Sequence, residues 1–533
     1  MRATSAIILA AGQGTRMKSK YPKVMAEVLF KPMINWVTDW CLKAGIEKIC
    51  VVVGSGADQV RAALPQQCVT VEQTERLGTG HAVMMAKEFI REHPGDVVVL
   101  NGDAPFVSDQ VIGSALEHHR QSGAQVTVVT ARLHDPSGYG RILRENGRVT
   151  GIVEDRDATG EQKQIAEVNS GAYCFESGFL LEALEQLTCR NSQGEYYLTD
   201  TVQVAFRQGK KVEACLCEDE KLVLGANDRA GLLKLNEIAN KIVVDRLLED
   251  GVNFYCTDGV VISPDAVVGR DTTIAPGTQL RGHVVIGEDC VIGPNTIIEN
   301  SRIGDGCQIH SSLIEQSQVG SGVRIGPNSH LRPNSVLADR VKIGNFVEIK
   351  NSTLGQKTSV AHLTYIGDPD FGENINVGCG VVTVNYNGYR KFRSTVGDNA
   401  FIGCNTNLVS PVHVGENAYI AAGSTITDDV PAGDLAIARA RQVEKAGWVE
   451  GYRAKELALK EKERTKRSKG CIIQPKAPPG ADGCLTAKAG YSLEGLKRKE
   501  GRAQRNLPRL KEGGRRNLPK KSKGSQKRNE FAW

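Results

Sequence analysis

Near the amino terminus the chain reads Leu9-Ala10-Ala11-Gly12-Gln13-Gly14-Thr15-Arg16-Met17, with Pro22-Lys23 shortly after. An apolar run that ends in a glycine-rich turn lets backbone approach an anion, and successive amide N–H groups can cradle phosphate oxygens. Arg16 and Lys23 add cationic clamps suited to a polyphosphate. The turn is neither a Walker A sequence nor a GxGxxG fingerprint, because Thr15 and Arg16 follow Gly12-Gln13-Gly14. Taken alone, it reads equally well as a structural turn. A second constellation lies far along the chain: His362 within Ala361-His362-Leu363-Thr364-Tyr365-Ile366-Gly367-Asp368, then Asn376-Val377-Gly378-Cys379-Gly380 and Asn385-Tyr386-Asn387-Gly388. A neutral imidazole can take a proton from an amine near neutral pH, although a lone loop histidine is more often structural. Arg332, Lys350, Tyr365 and Asn385-Tyr386 would give it a cationic, hydroxylated pocket suited to a sugar phosphate.

Two kinds of element must position these residues. Residues 1 to about 225 alternate apolar strand-like runs (Ala6–Ala11, Ile49–Val53, Val97–Leu100, Val126–Thr130) with helical patterns such as Met33–Ala44. That alternation predicts an α/β domain with a mostly parallel, Rossmann-like sheet, whose ligands sit at the carboxyl ends of strands. From Asp228 to Glu249, Leu232, Leu233, Leu235, Ile238, Ile242, Val243 and Leu247 are expected on or near one side of a single helix, the length of a connecting strut. Then an aliphatic residue recurs at every sixth position: Ile262, Val268, Ile274, Leu280, Ile286, Ile292, Ile298. The beat slips, resumes from Val319 to Ile349, and returns from Val396 to Ile426. A six-residue period fits neither an amphipathic helix nor a hairpin; it predicts a parallel β-helix from about 252 to 437, each hexapeptide forming one face of a triangular coil. Between Leu354 and Val396 the beat fails, and there the polar segments around His362 are expected to interrupt the coil. The expected organisation is 1–227, a linker helix 228–250, the coil 251–445, and a basic low-complexity tail 446–533 without fixed structure.

Composition narrows the class further. The net charge of +6 is split: 451–533 hold 24 Lys/Arg against 8 Asp/Glu, leaving −10 on residues 1–450. The basic balance therefore belongs to the tail and gives the body no case for nucleic-acid binding; an RNA- or polyanion-binding arm is the functional reading of the tail alone. No apolar run approaches the roughly 20 residues of a membrane span, and Ala6–Ala11 is too short for a signal-peptide core. The 14 cysteines are scattered without metal-type pairing, as expected for reduced thiols in a cytoplasmic protein.

The amino-terminal string resembles the signature of sugar-1-phosphate nucleotidyltransferases. Gln73 with Leu77-Gly78-Thr79-Gly80-His81, Asn101-Gly102-Asp103, Gly138-Tyr139-Gly140-Arg141, Val153-Glu154 and Asn169-Ser170-Gly171 follow in order. Together they are similar to the bacterial bifunctional family that acetylates glucosamine-1-phosphate and then couples it to UTP, giving UDP-N-acetylglucosamine for peptidoglycan and lipopolysaccharide. The resemblance implies a UTP and sugar site of Leu9, Ala10, Ala11, Gly12, Lys23, Gln73, Gly78, Thr79, Asn101, Gly102, Asp103, Gly140, Glu154, Asn169 and Asn227. Gln73, Gly78 and Thr79 would meet uracil; Gly140, Glu154 and Asn169 would hold the sugar; Asp103 and Asn227 would bind Mg²⁺, which accepts few protein ligands and bridges to phosphates. Asp103 alone would read as well as a strand-end cap. The sugar phosphate would attack the α-phosphorus in line, with Arg16 or Lys23 and the metal stabilising charge. Asn101 stands where some relatives carry Tyr.

The positions around His362 resemble the acetyltransferase half of the same family, which implies a left-handed β-helix with His362 as general base. Arg332, Lys350, Tyr365 and Asn376 would contact the amino sugar phosphate. Cys379, Asn385, Tyr386, Cys404, Ala422 and Arg439 would lie along the acetyl-CoA groove, with Asn385 or backbone amides meeting the oxyanion. Cys379 and Cys404 stand where other members have Ala and Ser, and small packing residues are expected there rather than acyl-enzyme nucleophiles. The family implies a homotrimer with each acetyltransferase site built between subunits. Two rivals remain: a nucleotidyltransferase whose coil is only a trimerisation scaffold, and a non-catalytic sugar-nucleotide binding module. The His362, Arg332, Lys350 and Tyr365 set counts against the first, and Asp103, Asn227 and Lys23 against the second.

Overall fold

The computed structural model describes residues 2–469. In the amino-terminal part, seven strands run across one sheet in the order Val212–Cys217, Val126–Arg132, Glu167–Glu176, Asp96–Asn101, Thr4–Ala10, Lys48–Val53, Cys68–Glu72. All neighbours are parallel except Glu167–Glu176, which is antiparallel to both of its own. Alternate residues of the central strand feed two cores. Ile7 packs with Val52, Val99 and Phe175 on one face, and Ala6, Ile8 and Ala10 with Val51, Val98 and Leu100 on the other. Leu9 pairs with Asn101 in register, so the glycine-rich turn and Asp103 leave the sheet side by side at its carboxyl edge.

The expected linker is helix Arg229–Glu249, capped by Asp228, whose carboxylate accepts from the Gly231 N–H at 2.8 Å. It is more than a strut. Leu235, Ala239, Val243 and Leu247 share one core with Val28, Met33 and Trp36 of the α/β part and with Val252, Val260 and Ile262 of the coil. Asn236 Oδ1 accepts from the Leu29 N–H at 2.9 Å, and Asn240 Nδ2 donates to the Val260 carbonyl at 2.8 Å. Lys31 reaches Asp265 at 2.8 Å, a direct ion pair between the two parts.

The coil runs from Asn253–Phe254 to Leu435–Ala436 as two- and three-residue strands, apart from the nine-residue Lys342–Lys350 and Ser359–Gly367. Ile262 pairs with Leu280, Val268 with Ile286 and Ile274 with Ile292, so a full coil takes three hexapeptides and each aliphatic residue stacks on the one a coil earlier. Corners demand left-handed backbone, and Asn295, Asn328, Asn334, Asn351 and Asn405 supply it with φ between 47° and 63°. The expected interruption at Ala361–Asp368 is not there. Leu354, Val360, Ile366, Phe371, Val377 and Thr383 continue the buried column without a gap, and strands Lys342–Lys350 and Ser359–Gly367 pair in parallel. The beat was hidden because Phe371 arrives five residues after Ile366, and because the core position at 383 is a threonine. That hydroxyl is satisfied inside, donating to the Gly367 carbonyl at 3.0 Å and accepting its N–H at 2.6 Å. The one extruded segment is 385–393, closed by an antiparallel bridge between Tyr386 and Lys391.

Part of the tail expected to lack structure is a helix, Trp448–Lys469. Its Ala, Leu, Glu and Lys content favours helix, and Glu456/Lys460 and Glu463/Arg467 stand at i,i+4. The remainder of that tail, 470–533, lies outside the described residues. No helix among the described residues is long and apolar enough to cross a membrane, and their twelve cysteines are free thiols.

Candidate functional sites

At the carboxyl edge of the sheet two cavities meet. One, of about 370 Å³, is lined by Leu9, Ala11, Gly12, Lys23, Gln73, Gly78, Thr79, Asn101 and Asp103, together with Arg76 and Glu195. The other, of about 260 Å³, is lined by Leu9, Thr79, Asn101, Asp103, Gly140, Glu154, Asn169 and Asn227, together with Tyr139, Tyr173 and Thr199. Four shared residues make them one cleft with two ends. Ala10 and Gly102 line neither: Ala10 is buried in the strand beneath, and the Gly102 N–H donates to the Leu9 carbonyl at 2.9 Å, tying the two strand ends. Arg16 lines neither cavity and sits exposed on the turn Thr15–Met17.

The two ends differ in the polar groups they present. In the first, a Cβ on Gly12 would meet nothing within 4 Å, so its backbone faces open space. Gly14, at φ +59°, packs so tightly that a Cβ there would lie 2.6 Å from Lys23 Cβ. Gln73 Nε2 donates to the Gly78 carbonyl at 3.0 Å and lies 3.0 Å from His81 Nδ1. That leaves Oε1 to accept from a base N–H. In the second, Asn169 Nδ2 donates to the Tyr173 hydroxyl at 2.6 Å while its Oδ1 accepts the Gly171 N–H at 3.0 Å. Asn101 packs on Gly171, whose φ is +79°. Glu154 accepts from the Thr199 hydroxyl at 3.0 Å. Burial nonetheless holds its carboxyl above the ordinary range, helped by the nearby carboxylates of Asp200, Asp157 and Asp155.

At the junction of the two ends, Lys23 Nζ pairs with Asp103 Oδ2 and donates to Asn227 Oδ1 at 2.8 Å. Asp103 follows strand Asp96–Asn101 and Asn227 precedes helix Arg229–Glu249. Two hard oxygens from distant segments therefore converge on one cation, a donor set that fits a divalent metal bridging to phosphates.

The second site is a column on the coil. Asn345 pairs with His362 in register. Val360 pairs with Val377, placing Cys379 one coil beyond His362, and the Gly380 N–H donates to the Leu363 carbonyl at 3.1 Å. Cys404 follows on the next coil, where the Asn405 N–H donates to the Cys379 carbonyl at 2.7 Å. Ala422 comes after it, and a Cβ on Gly423 would touch the Arg439 side chain at 3.5 Å. The predicted base and the groove positions Cys379, Cys404, Ala422 and Arg439 thus follow one corner along the coil, while Asn385 and Tyr386 of the predicted groove lie outside it. His362 Nδ1 lies 3.0 Å from Asn345 Oδ1. An amide oxygen only accepts, so this contact calls for the proton on Nδ1 and makes Nε2 the acceptor nitrogen of a neutral ring.

Around the column stand the expected cations. Arg332 donates to Glu348 at 2.8 Å. Lys350 neighbours Lys391 closely enough that the contact lowers its proton affinity. Asn385 is buried, its Nδ2 donating to Asp368 at 2.5 Å and lying 3.4 Å from the Tyr365 hydroxyl. That amide is thereby engaged within its corner of the coil. The Tyr386 hydroxyl donates to the Gly388 carbonyl at 2.6 Å within the extruded segment, and Asn376 is exposed on the strand paired to Ser359. Sequence reasoning missed Asn345, Lys391 and Asp368. Asn345 was findable: it lies 17 residues before His362, one coil with a single five-residue face. Nothing in the pattern marked Lys391, whose place depends on the fold of the 385–393 extrusion.

Three family models match the chain: a nucleotidyl transferase over residues 5–223, the left-handed β-helix domain of EIF2B subunit epsilon over 251–349, and six bacterial transferase hexapeptide repeats over 393–428. Among curated relatives, the Bifunctional protein GlmU of Clostridioides difficile (strain 630) is 48% identical over 446 residues, 84% of this chain and 97% of that one. Proteins of the same name from Halalkalibacterium halodurans and Acetivibrio thermocellus are 46% and 45% identical, over 83% and 84% of this chain and 98% of each relative.

Proposed function

Given that the chain belongs to the family of the bifunctional GlmU proteins, we propose how its two sites divide the work of UDP-N-acetylglucosamine synthesis. It is an enzyme with two transferase activities, glucosamine-1-phosphate N-acetyltransferase and N-acetylglucosamine-1-phosphate uridylyltransferase. The observation that supports the division is that the two sets of groups are separate: the cleft has its phosphate turn and paired oxygens, the coil its imidazole and cations, and they share no residue.

On the coil, Arg332, Lys350 and Lys391 receive the sugar phosphate. His362 Nε2 takes a proton from the amine as its nitrogen attacks the thioester carbonyl. The C–S bond breaks and the departing thiolate is protonated. Asn345 fixes the tautomer that makes this possible. In the cleft, Gln73, Gly78 and Thr79 hold uracil, and Glu154 and Asn169 hold the N-acetylated sugar. Its phosphate oxygen, already an anion, attacks the α-phosphorus and displaces pyrophosphate without a protein base. The family implies a divalent metal; we assign it as Mg²⁺ held by Asp103 and Asn227, where it would neutralise phosphate charge. Lys23 supplies positive charge to the same phosphates, and Arg16 does so from the exposed turn. Phe346, Leu363, Tyr386, Tyr389 and Tyr419 are exposed around the coil site. Exposed apolar side chains of this kind suit an interaction face; we assign that face to a homotrimer in which a neighbouring subunit completes the acetyltransferase site. The cytoplasm is the assigned location.

The test supplies glucosamine-1-phosphate, acetyl-CoA, UTP and Mg²⁺ and follows thiol and pyrophosphate release separately. His362→Ala should lower thiol release by ~10²–10⁴-fold while pyrophosphate release from N-acetylglucosamine-1-phosphate is kept. Asp103→Ala should do the reverse. Retention of acetyl transfer by His362→Ala would leave the coil a scaffold.

A further inference from the structure

The cation that sits between Asp103 and Asn227 in this structure is a side chain. Resting on the reading of those two residues as metal ligands, we propose that Lys23 is the resident counter-cation of the metal seat. Its ammonium fills the seat while no nucleotide is bound, and it must leave before a divalent ion can enter. Metal binding is thereby made conditional on nucleotide binding.

The geometry is specific. Lys23 Nζ donates to Asn227 Oδ1 at 2.8 Å and pairs with Asp103 Oδ2. An ammonium presents three donors and no acceptor, so it satisfies the same oxygens that a metal would take. It cannot remain there beside a second cation. The seat is also half-enclosed, with the Lys23 and Asp103 side chains only 15% and 22% exposed, so bulk water screens the competition poorly. The lysine stem is fixed, because Gly14 packs against its Cβ. Only the outer methylenes and the ammonium can swing, and Lys23 lines the same cavity as Ala11 and Gly12 of the phosphate turn.

These features set an order of events. A hydrated Mg²⁺ ion sheds water reluctantly and, arriving alone, must also evict a tethered ammonium from its carboxylate. A triphosphate gives that ammonium another anion to pair with, and brings phosphate oxygens that complete the metal's own shell. The two cations then stand apart, one on Asp103 and Asn227, the other on the phosphates. Linkage requires the effect to be reciprocal, with nucleotide tightening metal and metal tightening nucleotide. Removing the lysine charge should uncouple the two.

Mn²⁺ serves as the spectroscopic probe, titrated by electron paramagnetic resonance into the full chain without nucleotide, with thermal unfolding as the check that each variant is folded. Lys23→Met should bind Mn²⁺ at least tenfold more tightly than the unsubstituted protein, and Lys23→Gln should behave alike if the first variant folds poorly. Lys23→Arg, which keeps the charge, should stay weak. Adding UTP should tighten Mn²⁺ binding by a larger factor in the unsubstituted protein than in Lys23→Met. Binding to both neutral variants no tighter than to the unsubstituted protein would overturn the displacement while leaving the seat in place. A tightening that survives Asp103→Asn in the Lys23→Met background would instead show that the seat lies elsewhere, and would remove the metal assignment itself.

Discussion

Lys23 and Asn227 meet across 204 positions of sequence, whereas Asn345 and His362 meet across 17. The two sites are therefore assembled by different physics. In the α/β part, Asp103 and Asn227 come together only once the nine-stranded sheet has assembled, because one follows a strand end and the other precedes the connecting helix. In the coil, each residue depends on its nearest neighbours above and below, as in any solenoid. A residue one coil away in sequence is one rung away in space. Damage to the cleft is consequently a matter of global geometry, and damage to the column is local.

The largest effect on KM expected from the coil side comes from its paired lysines, proposed above to receive the sugar phosphate. Lys350 and Lys391 crowd one another, which lowers the proton affinity of Lys350, and a bound anion would relieve that repulsion. Replacing both with Ala should raise KM for glucosamine-1-phosphate by ~10²-fold, since hydrogen bonds to charged groups contribute about 1.5–3 kcal/mol each. Uridylyl transfer measured on N-acetylglucosamine-1-phosphate should move less than about twofold, as expected of independent sites. A comparable loss in both activities would mean that the two parts are energetically coupled, most directly through the core that helix Arg229–Glu249 shares with each.

A smaller and more discriminating effect belongs to Asn345. Asn345→Ala leaves His362 in place but frees its ring, so acetyl-transfer kcat should fall by ~10–10²-fold with KM little changed, in the range of other lost orienting partners. Asn345→Asp should shift the acid limb of the pH–rate profile to higher pH, because a carboxylate stabilises imidazolium. A purely structural role would move KM or stability and leave the profile where it was.

The contrast between the parts also explains what could be read in advance. Strand ends, the glycine-rich turn and the six-residue beat are local patterns, so Leu9–Gly12, Asp103 and the Ile262–Ile298 column were legible from residue types and spacing. The convergence of Lys23, Asp103 and Asn227 on one point was not legible in this way, because nothing local encodes a contact 204 residues long; only the family resemblance paired Asp103 with Asn227. In the coil the mistake ran the other way. His362 was expected to break the beat, yet it rides on an unbroken coil; Thr383 in a core position and the five-residue step to Phe371 disguised the continuity. The extruded 385–393 segment is where sequence spacing stops reporting distance, and there Lys391 escaped notice.

The smallest expected effect separates the two parts by the sign of a pH dependence. Glu154 in the cleft is held above its ordinary 4.5 by burial, so the native protein binds that proton more tightly than the unfolded chain does. Its contribution to stability is greatest below the ordinary value and falls as pH rises through the raised one, making the ionised carboxylate a net cost at neutral pH. Asp370 on the coil is held below its ordinary 3.8 by the Arg393 guanidinium, so its contribution is present above that value and lost as pH falls through the lowered one. Glu154→Gln keeps an acceptor for Thr199 and should raise Tm at pH 7 by about 1–3 °C, a gain that fades on acidification. The same change should raise KM for the sugar by about tenfold, since a neutral amide is a weaker partner for sugar hydroxyls. Asp370→Asn should lower Tm by no more than about 1 °C, as befits an exposed pair, with the loss confined to the range above the ordinary value. A cleft carboxyl that destabilises the fold and a coil carboxyl that supports it are expected if Glu154 is kept for its ligand; equal signs in the two titrations would assign Glu154 to structure.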